Sequence, residues 1–280
     1  MASRKSIEEA TKKITALFSK LSDNIQKLII TSFVSRRDID IPTAMEGVAE
    51  LIRRTEAKAY PLIEKELRWH YTSSQLEVTK AMRDAGLTAT GKLSEQQILE
   101  LNAIISDTLN DYGEALHGVF NNAQKVMTDV RKARLEAIFV EDKLKDSTLK
   151  ELKDKIINDL AKEFTAIIDK GGREWKLDTY AEMLARTRTR EVTNLAMTTR
   201  LKMEGYDLVQ VSSHGGVCDL CKPYDGQVLS MTGATQGYTT VSEAEMGGLF
   251  HPNCKHRLLP YHIEFQQFDT AVALPDQLRI

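Results

Sequence analysis

The stretch from 94 to 137, SEQQILELNAIISDTLNDYGEALHGVFNNAQKVMTDVRKARLEA, decides the fold class. Ser94-Glu95-Gln96-Gln97 is a capping box, in which a serine serves the free amides of a first helical turn and Gln97 reaches back. Behind it run Ile98, Leu101, Ile105, Leu109, Tyr112, Leu116, Val119, Ala123, Val126, Val130, Ala133 and Ala137. Steps of three and four alternate almost throughout, the pattern of a long rod packed on another helix. Gly113 and Gly118 weaken that pattern without breaking it.

Upstream the same period continues. Ser6-Ile7-Glu8-Glu9 reads as another capping box, and Ile7, Ile14, Leu21 and Leu28 repeat every seven residues, with Leu17, Phe18 and Ile25 between. This predicts an amphipathic helix over about 7–34. Pro42 suits a first helical position and opens a second tract to about Met82, interrupted or kinked near Pro61. Downstream, Ser147 caps a further expected helix, with Leu149, Leu152, Ile156, Leu160, Phe164 and Ile167 on one face and Gly171-Gly172 at its end. Asp178 starts another helix, which Gly205 closes.

Beyond Gly205 the character changes. Asp207–Ser212 reads as a strand, glycines crowd the chain up to Gly248, and strand-like pieces follow at Gln227–Met231 and Arg257–Phe265. The expected architecture is therefore mainly α, with long helices packed as a bundle or rod and a small C-terminal α+β module. The divisions are a helical body at 1–175, the module at 176–265 and a tail at 266–280.

Composition narrows the function classes. Across 280 residues, 38 basic side chains face 40 acidic ones, so no global field draws the chain to nucleic acid or an acidic membrane. No run approaches the roughly 18 apolar residues of a membrane span, so no membrane anchor is expected. Glu8 and Glu9 interrupt anything resembling a secretory signal, which points to a cytosol-like compartment. Arg186, Arg188, Arg190, Arg200 and Lys202 give one helix a local positive excess. With Glu182 and Glu191 in pairing reach, this reads as a solvated, salt-bridged surface that offers at most non-specific contact with DNA phosphates.

The residues that carry chemistry are Cys218-Asp219-Leu220-Cys221 and His251-Pro252-Asn253-Cys254-Lys255-His256. All three cysteines of the chain lie here, an odd number in a reducing setting, which favours metal over disulfides. Zinc prefers a tetrahedron of thiolates and imidazoles from two short chelating segments. Cys218, Cys221 and Cys254 with one histidine make a closed structural site for one Zn²⁺. His256 is favoured as the fourth ligand; His251 follows closely, with the same two-residue spacing as the first knuckle. His214 ranks third. A glycine-rich unit with few core residues needs such a staple.

Read together, Tyr180–Thr187, Gly205–His214, the Cys218 knuckle, Pro223–Val228 and Gly248–His256 resemble, in order, the C-terminal module of tailed-phage minor capsid and head-morphogenesis proteins, the Mu F-like and minor capsid protein 2 group. The likeness covers roughly 176–265. It implies a virion head protein assembled in the host cytoplasm, with portal, capsid or scaffold proteins as partners and a role in head assembly, DNA retention or DNA delivery. Within that group the closing segment often reads Cys-x-Cys or Cys-x-His, which supports Cys254 and His256 as ligands; some members lack a counterpart of Cys218, which leaves His214 in contention for that place. The long heptad-like face needs a partner, within the chain or in a second copy. Two enzymatic readings compete with a structural protein. A metal-dependent hydrolase or nuclease would use His214, His251 or His256 as a base beside an open metal. An ADP-ribosyltransferase would use Glu243-Ala244-Glu245 with Ser212-Ser213 and Arg200. The first has no carboxylate pair beside the knuckles, the second rests on a lone Glu-x-Glu in a loop that reads as solvated acids, and no catalytic residue is assigned.

Overall fold

Helix formation dominates, as the periodicity requires. The computed structural model describes residues 4–34, 40–84, 86, 87, 89, 94–141, 166–169 and 172–261. Three long helices come first: α1 (Arg4–Val34), α2 (Ile41–Asp84) and α3 (Glu95–Glu141). A short antiparallel hairpin, β1 (Ala166–Ile168) with β2 (Glu174–Lys176), leads into α4 (Leu177–Met203). Three strands, β3 (Leu208–Val211), β4 (Val228–Ser230) and β5 (Leu258–Pro260), then form an antiparallel sheet in the order β4-β3-β5, and α5 (Val241–Met246) lies between the last two in sequence. The chain is mainly helical with small sheets. No described helix is long and apolar enough to cross a membrane.

The chain divides into two compact units, each gathered from separate segments. One comprises Lys12–Leu62 and Thr108–Glu182. Its core is set by α1 and α3: Phe18, fully buried, stacks on Tyr112 with ring centroids 4.8 Å apart. The Tyr112 hydroxyl, buried with its ring, donates to the Ala181 carbonyl at 3.0 Å. Gly47 leaves room for Leu28, whose nearest methyl would lie 2.7 Å from a Cβ there.

The other unit comprises Met1–Thr11, Ile63–Asp107 and Met183–Ile280. Its core joins Val78 and Met82 of α2 and Met197 and Leu201 of α4 to Val209, Val211, Leu229 and Leu258 of the sheet, with Cys221, Ala244, Leu249 and Cys254. Polar contacts run beside this apolar seam. Gln75 Nε2 donates to the Ala196 carbonyl at 2.8 Å, and Arg200 Nε and Nη2 donate to Thr79 Oγ1 at 3.1 and 3.0 Å. The partners advance by four residues in the same sense on both helices, so α2 and α4 run in the same direction here.

Most of the expected stripe is buried. On α3, Leu101, Ile105, Tyr112, Leu116, Val119, Ala123, Val126 and Val130 face inward, and the Ser94–Gln97 capping box forms in both directions. Ile98, at 43% exposure, and Leu109, half-buried, are not fully buried, and the side chains of Ala133 and Ala137 lie outside the described residues. On α1 the buried line is Ile7, Ala10, Ile14, Phe18, Leu21, Ile25 and Ile29. A strict seven-residue repeat drifts by about 20° per heptad on a straight helix, so Ile29 replaces Leu28 by the third repeat. Gly205, at φ 83°, ends α4 as expected, since only that left-handed turn lets Tyr206 N–H reach the Leu201 carbonyl at 2.9 Å.

Three expectations need correction. Ser6 lies inside α1, which already runs from Arg4, and so does not cap it. Helix α2 passes through Pro61 without interruption. Ile167 belongs to strand β1, opposite Trp175, and not to a helix ended by Gly171-Gly172. Local turn chemistry prevails there: Asp169 accepts from the backbone and side chain of Arg173 and from Trp175 Nε1. The rest of that expected helix, at 147–165, lies outside the described residues, as do the end of the last expected strand and the tail.

Asp207 anchors the loop after β4. Its carboxylate accepts from the Ser230 and Thr232 hydroxyls and from the backbone N–H groups of Thr232 and Thr235, at 2.6–3.1 Å. Burial opposes ionisation, but these donors hold the carboxyl well below the usual carboxylate range. Its stabilising contribution is therefore complete above the unfolded value of about 4 and is lost as pH falls through the lower folded value. Asp207→Ala should cost about 2–3 kcal/mol at pH 7, read as a lowered urea midpoint, and the gap from the parent protein should close in strong acid.

Candidate metal centre

Two short loops bring the cysteines and histidines together. The first follows β3. Cys221 N–H donates to the Cys218 carbonyl at 3.1 Å and Lys222 N–H to the same carbonyl at 3.0 Å, a turn that sets both thiols to one side. A single 3₁₀ turn, Lys222–Tyr224, continues from it. The second loop precedes β5, and there Cys254 N–H donates to the His251 carbonyl at 2.9 Å. Phe250 and Asn253 take left-handed backbone angles, φ 64° and 66°, which non-glycine residues adopt only under constraint.

That constraint comes from α4. The guanidinium of Arg190 donates to three carbonyls of the loop: Phe250 at 2.9 Å, Cys254 at 3.0 Å and His251 at 3.3 Å. It also lies 5.3 Å from the Phe250 ring centre, a cation–π distance. Arg186 adds a bond to Asn253 Oδ1 at 3.2 Å. The helix read as a solvated basic surface is thus only partly that. Arg188 pairs with Glu191 at 2.8 Å as expected, but Arg190 and Arg200 are buried, at 4% and 1% exposure.

Donor atoms converge in two overlapping groups, Cys218–Cys221–His251 and Cys221–Cys254–His256, each within 4.8 Å. Cys221 Sγ is 3.5 Å from Cys254 Sγ, and Cys254 Sγ is 3.5 Å from His256 Nδ1. Around a tetrahedral Zn²⁺ the corresponding edges are about 3.8 Å between thiolates and about 3.5 Å from thiolate to imidazole. Cys218 Sγ and His251 Nε2 are closer, at 3.1 Å. Cys221, Cys254 and His256 are buried, whereas Cys218 is exposed and His251 half-buried.

The histidine tautomers suit ligation. His256 Nε2 lies 2.9 Å from Asp225 Oδ1, a carboxylate that only accepts, so Nε2 carries the proton and Nδ1 presents a lone pair to the thiols. His251 is the mirror case: Nδ1 lies 2.7 Å from the Pro252 carbonyl, which leaves Nε2 as the free donor atom. His214 sits outside both groups. Its ring lies 4.2 Å from that of His256, with Nδ1 3.0 Å from the Gly215 carbonyl.

Electrostatics divide the thiols. The backbone N–H of Cys221 is the main influence that draws the Cys218 thiol down to about 7, with the Cys221 thiol and His251 assisting. Burial, and then Cys254, pushes the Cys221 thiol up to about 12. Burial also lowers His256 from its ordinary value, against the pull of Asp225, so the ring is neutral near pH 7. Burial works against ionised Asp225, but bonds from His256, the His214 backbone and Ser213 hold it below its ordinary value. Soft thiolates, neutral imidazoles and an outer carboxylate on one imidazole fit a structural zinc ion.

Sequence reasoning gave no role to Asp225 and misjudged Arg190. Each acts on a partner distant in the chain, 31 residues from His256 and 64 from Cys254, so no local spacing marks it. The acids of the transferase reading have local tasks or surroundings. Glu243 closes the capping box of Thr240 at the start of α5, Glu245 lies exposed on the same helix, and Arg200 is bonded to Thr79.

The relationships of the chain agree with this C-terminal pattern and extend past it. No solved structure matches it. A protein of Lactococcus phage LL-H named "Structural protein" is 27% identical over 174 residues, 59% of this chain. The match spans 42% of that relative, less than half its length. The family described as phage minor capsid protein 2 matches residues 5–271, through the helices as well as the knuckles. The chain therefore belongs to the phage minor capsid protein 2 family.

Proposed function

We propose that this chain is a structural, non-enzymatic component of a tailed-phage head, with one structural Zn²⁺ in its C-terminal module. The observation that carries the reading is the family match over 5–271, which takes in the helical segments as well as the Cys/His loops. On this reading 1–175 is a helical body, 176–265 the zinc module and 266–280 a tail. The chain is made in the host cytoplasm and enters the virion head at or near the portal, against portal, capsid or scaffold proteins. Non-specific contact with packaged DNA, a part in its retention or delivery, and self-association through a helical face belong to the same proposal. The named phage relative supports the structural role.

The zinc would be held by Cys218, Cys221 and Cys254 with His256, or with His251 in its place, and bound there it would tie the two loops together. Asp225 orients His256 through Nε2, and burial of Cys221, Cys254 and His256 keeps water from that side. A hydrolytic reading gains nothing from the neighbouring acid, because Asp225 is already occupied by three donors.

Metal analysis of the purified chain, prepared without chelator, should give one zinc per protein, lost in Cys254→Ser. Zinc affinity should fall as pH falls, since a thiol raised to about 12 in the metal-free chain must surrender its proton to bind. A metal-free parent protein would sink the zinc proposal. Mass spectrometry of purified particles should find the chain in mature heads, and its absence there would sink the head-protein role.

A further inference from the structure

A cavity of about 40 Å³ lies beside the loop that Arg190 holds by its carbonyls. Its walls come from places distant in sequence: Glu8 near the start of α1, Arg186 and Arg190 on α4, Ser212 just after β3, and Lys255 and Arg257 just before β5. At roughly 10–15 Å³ for each water, the space holds about three water molecules or one small polyatomic ion. Hydrogen-bond donors outnumber acceptors there. Arg190 spends Nη1 and Nη2 on loop carbonyls, but its Nε–H is buried and has no partner among the described residues. A buried N–H without an acceptor is rare in a folded protein. Ser212, 7% exposed, accepts from the Arg257 backbone N–H at 3.0 Å, which leaves its own hydroxyl hydrogen to donate. Lys255 is exposed and has no ion pair among the described residues.

Glu8 is the one carboxylate in the lining. Glu77 acts on Arg257, and Glu191 and Glu245 act on Arg190, but none of these three lines the cavity. They temper the positive charge without placing an acceptor inside. We propose that the cavity is a binding site for one tetrahedral oxyanion of the phosphate class. Donors on three separate elements suit its four oxygens better than the two of a planar carboxylate, and guanidinium and ammonium groups make charge-assisted bonds to it. The bound ion joins α4, the end of β3 and the start of β5. It needs no zinc, and it is a defined site, unlike the non-specific DNA contact named above. Free phosphate and a phosphate group of nucleic acid share the chemistry that these donors recognise.

The test uses the full chain with inorganic phosphate as probe, at constant ionic strength set by sodium chloride so that screening does not change. Titration calorimetry should show one saturable site, and phosphate should raise the thermal midpoint along the same binding curve. Lys255→Glu changes an exposed side chain of the lining and should weaken phosphate by about 10–100-fold, the equivalent of one charge-assisted hydrogen bond. Lys222→Glu makes the same change of net charge at an exposed position outside the lining, and should leave the affinity within about twofold. Duplex DNA with 5′-hydroxyl ends separates the sources. Displacement of phosphate by that duplex identifies a backbone phosphate as the occupant, and no displacement a free or terminal one; either result supports the site. A midpoint that answers to phosphate no more than to chloride would leave water as the occupant and overturn the proposal. Equal losses in the two lysine variants would overturn it too, as diffuse screening.

Discussion

Cys221→Ser is expected to abolish metal binding and unfold the three-stranded sheet with its two loops. Cys221 belongs to both groups of converging donors, is 1% exposed, and packs in the same core as Val209, Leu229 and Leu258. Each strand of that sheet contributes only three or four residues. A sheet this small lacks the apolar area to stand alone, and a structural zinc ion contributes on the order of 10 kcal/mol in comparable peptides. That exceeds or equals the whole stability of many domains, so the loss should be total for the sheet. Limited proteolysis should cut the variant between 205 and 260, while far-UV circular dichroism keeps most of its helical signal. Protease resistance equal to the parent protein would show that the centre does not hold the module together.

The second large effect lies far from any metal ligand in sequence. Phe18→Ala removes a fully buried ring that stacks on Tyr112 at an interplanar angle of 21°. The cost combines lost burial, the cavity left behind and a lost aromatic pair, about 3–5 kcal/mol altogether. The Tyr112 hydroxyl is fixed to the Ala181 carbonyl, so its ring is poorly placed to collapse into the space. Urea unfolding should show a lowered midpoint with an unchanged slope. A cost under about 1 kcal/mol would mean that α1 is not locked to α3 at this point.

The long helices were legible because burial repeats along them, and each inward position adds to the same signal. On α3 the pattern also carried its own start, since the Ser94 cap and the Gln97 return are neighbours in sequence. Gathering of the Cys/His loops was legible for a related reason: each loop carries its candidate donors two or three positions apart, so spacing alone reports them. The hairpin around Asp169 was misread because Ile167 fits the helical period well enough to hide three side-chain and backbone bonds to one carboxylate. Arg190 and Arg200 were misread because helical spacing tells which residues share a face, not what that face meets. Their partners lie on the 250–254 loop and on α2, and only the folded chain brings these elements beside α4.

The hydrogen bonds between α2 and α4 bear on how the pair answers a sliding force. Apolar ridges alone would let one helix slip by a turn, since Val78 and Met82 would still meet methyl groups a turn away. The amide of Gln75 and the guanidinium of Arg200 are less tolerant: a slip takes the Ala196 carbonyl from the first and the Thr79 hydroxyl from the second, leaving Arg200 only Glu204, at 3.8 Å on its own side. The contact therefore works as a ratchet with a single notch, yielding little to shear until it fails at once.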